Sequence, residues 1–533
     1  MVGNTGGRNT VRVLERMNIS VLFGIPGIHN LSIYEGLTSS PIRHITTRHE
    51  QGAGFMAYGW GKSTGTPGVA VAITGPGLTN ILTPLGQAYH DSVPMLVIST
   101  QIPSKFLSGR TGYLHELRDS TAMSSSVTKA SFRASSPEEI PGLVERALRL
   151  STEGRPGPVH VEVPLDFLDQ HFDLVPGELS RPQSCRLDRA LLERAAESLS
   201  NSRSPFIIVG GGAANAAEAV RELAEKLSAP VALTSAGKGI LPEDHPLCLG
   251  ARLHFPQVKE LIKSSDSVIA LGTELSPTDL WEDDFPFPDT MISMDVDGGF
   301  SSVRKGFFLN CRCEDGVSML AAAVERRNGR SFHDKQALLE RCWESIRGVL
   351  GAEEGLSLLG ETVSALAGSL GRDGALWADM TGAAYYAISE FPSFRPRTFL
   401  HPVGFGTLGA ALPAALGTKC AFPDRRVAAL AGDGGFQFTL PELAVGVQEQ
   451  ICLPVIIWND GGFGEIRRSQ DRNGGPRIAV DHWNPDFRSI AEAYGIPYFA
   501  PRDGAGVGKA LESAFGVSVP SIIEINTRQE AKA

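Results

Sequence analysis

The stretch Val427-Ala428-Ala429-Leu430-Ala431-Gly432-Asp433-Gly434-Gly435, read together with Trp458-Asn459-Asp460-Gly461-Gly462, decides the fold. Val427–Ala431 is short, apolar throughout and closed by glycines, as a strand covered on both faces is. A helical pattern follows from about Leu440. Pro454–Trp458 repeats the design, and the asparagine at its end comes 26 residues after Asp433. Two neighbouring parallel strands then carry one carboxylate and one amide oxygen to the same sheet edge. Glycines at that edge let a ligand come close to the backbone.

The same pattern runs outward through the chain. Val69–Thr74, Met95–Thr100, Val159–Val163, Phe206–Val209, Ser267–Leu271, Met291–Val296 and Ser521–Ile525 are short apolar runs bounded by Gly or Pro. Helical patterns such as Ala216–Leu227 and Leu440–Glu449 lie between them. Strand–helix alternation over the whole length predicts an α/β protein of doubly wound parallel sheets. Two stretches read as linkers, Pro176–Asp188 and Arg326–Lys335, because they are polar or rich in Pro, Gly and Ser. They predict three domains, at 1–175, 186–330 and 350–533. No short repeat is visible, although a duplicated fold leaves little trace in sequence.

The 533 residues exceed what one core holds, which agrees with three domains. A formal charge of −10 without any basic run argues against nucleic-acid binding. The N-terminal ten residues lack an apolar segment, so no signal peptide is expected, and no apolar stretch is long enough to span a bilayer. Seven scattered cysteines, of which only Cys311 and Cys313 are close, read as reduced thiols and place the chain in the cytoplasm.

Asp433 and Asn459 suit Mg2+, which takes hard oxygen ligands and often bridges to phosphates. That pairing, together with five further motifs, resembles the acetolactate synthase and 2-oxoacid decarboxylase group of thiamine-diphosphate enzymes over nearly the whole chain. The motifs are Phe23-Gly24-Ile25-Pro26-Gly27, Arg48-His49-Glu50-Gln51-Gly52-Ala53, Thr74-Gly75-Pro76-Gly77-Leu78-Thr79-Asn80, Ala88–Pro94 and Gly404-Phe405-Gly406-Thr407-Leu408-Gly409. The resemblance implies three sheets: a pyrimidine-binding domain, a central Rossmann-like domain and a diphosphate- and metal-binding domain. By it Asp433, Asn459 and the Gly461 carbonyl hold Mg2+. Gly432, Gly434, Gly435, Thr381 and Gly382 line the diphosphate path, and Pro26, Thr74, Asn80 and Gly406 line the rest of the cofactor. Leu408 is the apolar wedge that bends the cofactor, and Glu50 is the carboxyl that faces N1′ of its aminopyrimidine. In that group the glutamate and the diphosphate site come from different subunits, which implies a homodimer at minimum and a homotetramer as the common form.

The middle segment carries Val209-Gly210-Gly211-Gly212-Ala213, a weak dinucleotide fingerprint because Asn215 stands at the third glycine. It keeps a non-catalytic nucleotide-binding protein as a remote alternative. Acetolactate synthases bind FAD in this domain through an Arg-rich stretch, but here Gly272-Thr273-Glu274-Leu275-Ser276-Pro277-Thr278-Asp279 stands instead. FAD is therefore not expected. The acceptor-selecting Trp of acetolactate synthases is also missing, with Ser469 in its place and Glu465 at a preceding Met. Gly24–His29, Gly112–Leu117, Gly272–Leu275 and Gly464–Arg467 most resemble the 5-guanidino-2-oxopentanoate decarboxylases. The implied reaction is non-oxidative decarboxylation of a small-molecule 2-oxoacid with a cationic tail, with acetolactate-synthase-like carboligation as the alternative. A guanidinium calls for a carboxylate, and Glu465 and Glu116 are the candidates. Glu465 also has Arg468 one helical turn away as a rival partner. His29 and His115 are candidates for proton transfer.

Overall fold

The structure is a computed structural model and describes residues 4–107, 109–173, 187–298, 306–325, 332–351 and 356–527. Seventeen strands form three sheets among these residues. The first holds β1 (Val21–Gly24), β2 (Arg43–Thr46), β3 (Gly68–Ala72), β4 (Met95–Gln101), β5 (Ala130–Arg133) and β6 (Pro158–Pro164), in the order β2-β1-β3-β4-β6-β5. The middle sheet holds β7 (Pro205–Val209), β8 (Val231–Leu233), β9 (Ser267–Leu271), β10 (Ile292–Asp295) and β11 (Phe307–Asn310), ordered β11-β10-β9-β7-β8. The third holds β12 (Ala375–Ala378), β13 (Phe399–Leu400), β14 (Val427–Gly432), β15 (Leu453–Asn459), β16 (Tyr498–Phe499) and β17 (Pro520–Asn526), ordered β13-β12-β14-β15-β17-β16. Neighbours pair in parallel throughout.

Counted within each sheet, the first and third have the same strand order: second, first, third, fourth, sixth, fifth. The chain thus contains one fold twice, with a different sheet between the copies. The strands of each sheet fall inside one of the three expected segments. Most of both expected linkers, 176–186 and 326–331, lies outside the described residues.

The two like domains share one core. Phe23, Tyr58 and Leu85 of the first pack in the same buried cluster as Trp377, Leu416 and Ile457 of the third. At its centre helix Glu50–Thr64 crosses helix Ala411–Ala421. The close approach requires glycine on both sides: a Cβ on Gly59 would run into the Ala414 carbonyl, and one on Gly417 into the Met56 carbonyl. The indole Nε1 of buried Trp377 donates to Thr418 Oγ1 at 2.7 Å, so the largest side chain here leaves no donor unpaired. The middle domain has its own core around Ile207, Leu233 and Ile269. Among the described residues no helix is long and apolar enough to cross a membrane.

One local expectation is corrected. The helix after β14 begins at Asp433, not near Leu440. It runs to Phe438, gives way to a single 3-10 turn at Leu440–Glu442 with Pro441 in it, and resumes at Leu443–Gln448. Pro441 has no N–H to continue the ladder, so the helix breaks there.

Candidate active site

β14 and β15 are direct neighbours, with Gly432 opposite Trp458, so Asp433 and Asn459 leave the sheet side by side. Both are buried. Their oxygens converge on one donor: Asn484 Nδ2 lies 2.5 Å from Asp433 Oδ2 and 3.0 Å from Asn459 Oδ1. The Asn459 amide is held in that sense by its other end, because Nδ2 donates to Glu524 Oε1 at 2.6 Å. Tyr498 in turn donates to Glu524 Oε2 at 2.5 Å. An acidic side chain behind an amide fixes which face of the amide looks into the site. Gly461, at φ +74°, turns the chain away after β15, and its carbonyl accepts from Arg467 Nη2 at 3.3 Å. A carbonyl has a second lone pair, so this bond does not use up its capacity. His482 stands 3.4 Å from Asp433 Oδ2. Among the described residues no three His, Cys, Asp or Glu side chains gather as a metal cluster. The set here is one carboxylate with amide and carbonyl oxygens, a donor set for a hard cation bridging to phosphate.

The Glu524 contact has a measurable consequence. In Glu524→Ala the Asn459 amide is free to rotate, and affinity for thiamine diphosphate with Mg2+ is expected to fall about 10- to 100-fold. Titration by thermal shift checks this, and unchanged affinity would exclude an orienting role.

Thr381 caps the helix Gly382–Glu390, and its Oγ1 lies against Gly432. The Arg468 guanidinium packs on Gly382, where a Cβ would collide with it. Leu408 is anchored from both sides. Thr407 donates N–H and hydroxyl to Gln87 Oε1, at 3.2 and 2.7 Å, from the first domain. Gly409 donates its N–H to Asp379 Oδ2 at 2.8 Å and accepts from Thr439 Oγ1 at 2.7 Å. Burial pushes the Asp379 carboxyl up to about 6, against the backbone N–H bonds that lower it. An apolar wedge between two fixed residues is well placed to hold a bent ligand in shape.

The other half lies at the edge of the first sheet. Glu50 opens helix Glu50–Thr64 and accepts from Asn80 Nδ2 at 3.0 Å. Buried Glu442 holds this helix start by accepting the backbone N–H groups of Arg48 and His49 at 3.0–3.2 Å. Burial raises the Glu442 carboxyl to about 7. Thr74 donates N–H and pairs its hydroxyl with Thr100 Oγ1, at 2.9 and 2.8 Å. The Pro26 turn is closed by Asn30, which bonds the Gly27 N–H at 2.7 Å and the Ile25 carbonyl at 3.1 Å. His29 and His115 face each other with ring centroids 4.9 Å apart.

The two candidate substrate carboxylates both have partners within the chain. Glu465 offers no free carboxylate: Oε2 pairs with Arg468 at 2.6 Å and Oε1 with Arg472 at 3.2 Å. Glu116 turns its carboxylate onto its own loop, accepting the N–H groups of Thr111, Gly112 and Tyr113. Local partners reached both carboxylates first. Asn484, Glu524 and Glu442 were not anticipated from sequence. The only trace of Asn484 is the turn and helix start in Asn484-Pro485-Asp486, where Asp486 caps the helix Phe487–Tyr494.

A separate cavity of about 690 Å³ lies among the three domains and is lined by Gly211, Gly212, Glu274, Asp279 and Asp295. The amides of Gly210 and Gly212 are already bonded to the carbonyls of Leu271 and Gly272. Burial pushes the Asp279 carboxyl up to about 6 and raises Glu274 as well. The same cavity is lined by Lys62, Arg155, Arg312 and Arg397, and Arg155 pairs with Glu274, so it carries charge of both signs.

Two copies of one parallel fold, a convergent pair of oxygens at adjacent strand ends and a glycine-rich edge suit an enzyme that binds a diphosphate-bearing cofactor. The chain matches the N-terminal TPP binding domain of thiamine pyrophosphate enzymes over residues 4–123, the central domain over 192–305 and the C-terminal TPP binding domain over 379–525. It is 39% identical over 526 residues, 98% of this chain and 94% of the relative, to a probable 2-ketoarginine decarboxylase of Pseudomonas aeruginosa. Similarity to acetolactate synthase large subunits is 29% identity with that of isozyme 1 from Escherichia coli, covering 99% and 95% of the two chains. For the Corynebacterium glutamicum subunit it is 32%, covering 99% and 87%. The chain belongs to the thiamine pyrophosphate enzyme family.

Proposed function

We propose that the protein is a thiamine-diphosphate- and Mg2+-dependent non-oxidative decarboxylase, which takes a 2-oxoacid with a cationic, guanidino-bearing tail to the aldehyde and CO2. The observation that carries the reading is the convergence of Asp433 Oδ2 and Asn459 Oδ1 on one point at the end of β14 and β15. In this reading Asp433, Asn459 and the Gly461 carbonyl hold the metal. Thr381, Gly382, Gly432, Gly434 and Gly435 line the diphosphate, and Pro26, Thr74, Asn80 and Gly406 line the remainder. When bound, the cofactor supplies a carbon nucleophile and an electron sink for the leaving CO2. With the cofactor bound, Glu50 would hold a proton at N1′ of the aminopyrimidine, and Leu408 would pack against the cofactor as the apolar wedge. His29 and His115 stand at the turn beside the pyrimidine and return a proton to the product carbon. The substrate class draws support from the relative at 39% identity. Glu465 could serve a cationic tail only by exchanging one of its arginines.

The site needs a second copy of the chain in this reading, with a homodimer as the smallest form and a homotetramer as the working one. Exposed apolar residues beside both halves support it: Ile28 and Leu114 near the pyrimidine turn, Phe438 and Trp483 near Asp433. The cytoplasm is the proposed location, and no flavin is required.

The test is CO2 release and product identification over a panel of 2-oxoacids with thiamine diphosphate and Mg2+. We expect 5-guanidino-2-oxopentanoate to be turned over at least about tenfold better in kcat/KM than pyruvate or benzoylformate, since a charged hydrogen bond is worth roughly 1.5–3 kcal/mol. The purified protein is expected to lack flavin absorbance. Preference for pyruvate with acetolactate as product would establish the carboligase instead.

A further inference from the structure

Glu116 lies in a segment, residues 109–119, that has no regular secondary structure. Its carboxylate gathers three successive backbone N–H groups: Thr111 at 3.1 Å, Gly112 at 2.7 Å and Tyr113 at 3.2 Å, all to Oε2. The Thr111 hydroxyl adds a fourth contact at 3.4 Å. The Glu116 N–H closes the turn onto the Tyr113 carbonyl at 3.0 Å. Consecutive amides aimed at one point make a small anion site, and here the anion belongs to the loop itself.

The residue inside this clip is His115. Its φ is +70°, in the left-handed region that few side-chain-bearing residues adopt. Its backbone presses on Gly75, which is itself at φ +67°. A Cβ on Gly75 would stand 2.6 Å from the His115 carbonyl oxygen and 2.9 Å from its Cβ. Gly75 opens the turn that leads through Gly77 to Glu50: a Cβ on Gly77 would be 3.5 Å from Glu50 Oε1. The His115 ring meets His29 at 4.9 Å and 59°, and Tyr113 backs His29 at 6.3 Å. Nδ1 of both histidines is buried without a hydrogen-bond partner. Burial, then the neighbouring His115, lowers the pKa of His29. Two imidazoles with open nitrogens therefore stand at the pyrimidine turn, and one of them is carried by a loop that Glu116 ties.

We propose that Glu116 is a positioning residue, whose carboxylate clips residues 111–116 so that His115 is held in its left-handed conformation over Gly75 and against His29. Glu116 itself touches no substrate. The proposal rests on the reading of His29 and His115 as the proton-handling pair, and its test separates the two.

The first arm needs no substrate. In NMR spectra of protein labelled with 13C at histidine Cε1, with thiamine diphosphate and Mg2+ present, His115→Ala shifts the His29 resonance because it removes the ring 4.9 Å away. Glu116→Ala is expected to move the His29 resonance to the same position, with melting temperature and cofactor affinity as in the wild type. A His29 resonance that stays in place in Glu116→Ala overturns the proposal. A lower melting temperature with an unmoved resonance does the same, since the role is then structural only.

The second arm is a kinetic cycle on whichever 2-oxoacid the wild type turns over. Glu116→Ala is expected to lower kcat about 10- to 100-fold, part of the roughly 10²–10⁴ that a placed acid–base group contributes. In a His115→Ala background the same change is expected to cost less than about twofold, because residues acting as one unit are not additive. Glu116→Gln keeps one oxygen for the amides and is expected to restore part of the rate. Equal losses in both backgrounds overturn the proposal. Should His115→Ala turn over like the wild type while the first arm holds, the clip stands and the proton-transfer reading falls.

Discussion

Glu50→Gln is expected to fold as the wild type does and to turn over its substrate about 10²- to 10⁴-fold more slowly. The substitution keeps size and shape, and the new amide oxygen still accepts from Asn80, now 3.0 Å from the carboxylate. The helix start keeps its tie to Glu442 through the Arg48 and His49 amides. What is lost, in the proposed reading, is the carboxylate that would hold a proton at N1′. The loss should fall on kcat, with cofactor affinity nearly unchanged, because the diphosphate is gripped elsewhere. Steady-state kinetics with a cofactor titration decides it. Turnover within a few-fold of the wild type would remove Glu50 from the chemistry.

Asp433→Ala is expected to abolish retention of thiamine diphosphate. Asp433 stands at the end of β14 beside Asn459 at the end of β15, and it is 1% exposed, so solvent-borne charge does not readily replace it. Loss of a residue that merely orients a ligand lowers metal affinity about 10- to 100-fold, and loss of the ligand itself should exceed that. In a thermal-shift titration the wild type gains stability as Mg2+ and cofactor rise, by about 2.7 kcal/mol at a hundredfold excess over Kd. Asp433→Ala should show no such gain over the same range. A normal gain would mean that the metal is held by other atoms.

The strands that were legible, such as β3, β4, β6, β7 and β9, are buried on both faces and written as largely apolar runs, whereas the shorter, partly exposed edge strands β2, β5, β11 and β16 carry no run of that kind. The pairing of Asp433 with Asn459 was legible for a related reason. A parallel sheet brings successive strand ends to one edge, and β14 and β15 are neighbours. Glu524, Glu442 and Asn484 were not legible. Each acts on a residue far along the chain, as Glu442 does on His49, and no local pattern encodes such a partner. For Glu116 and Glu465 the residue type was visible and its use was not. In the chain itself Glu465 pairs with an arginine one turn away and Glu116 with three amides of its own loop. The repeated strand order of the first and third sheets was invisible for another reason: topology survives when side chains have diverged.

The crossing of helices Glu50–Thr64 and Ala411–Ala421 bears on motion. On each side the atom that meets the glycine is a main-chain carbonyl, which belongs to a helix and has no rotamer to change. Such a seam has no slack for one half to slide or rock on the other. Any gating during turnover must then be carried by appendages to a stiff frame. The two such appendages at the site are residues 109–119, which bring His115, and Gly462–Asn484, which contains the helix Gly464–Arg472 and brings His482 and Asn484 to Asp433. In mechanical terms the protein is an anvil, and any cover it closes over the site is one of these two segments.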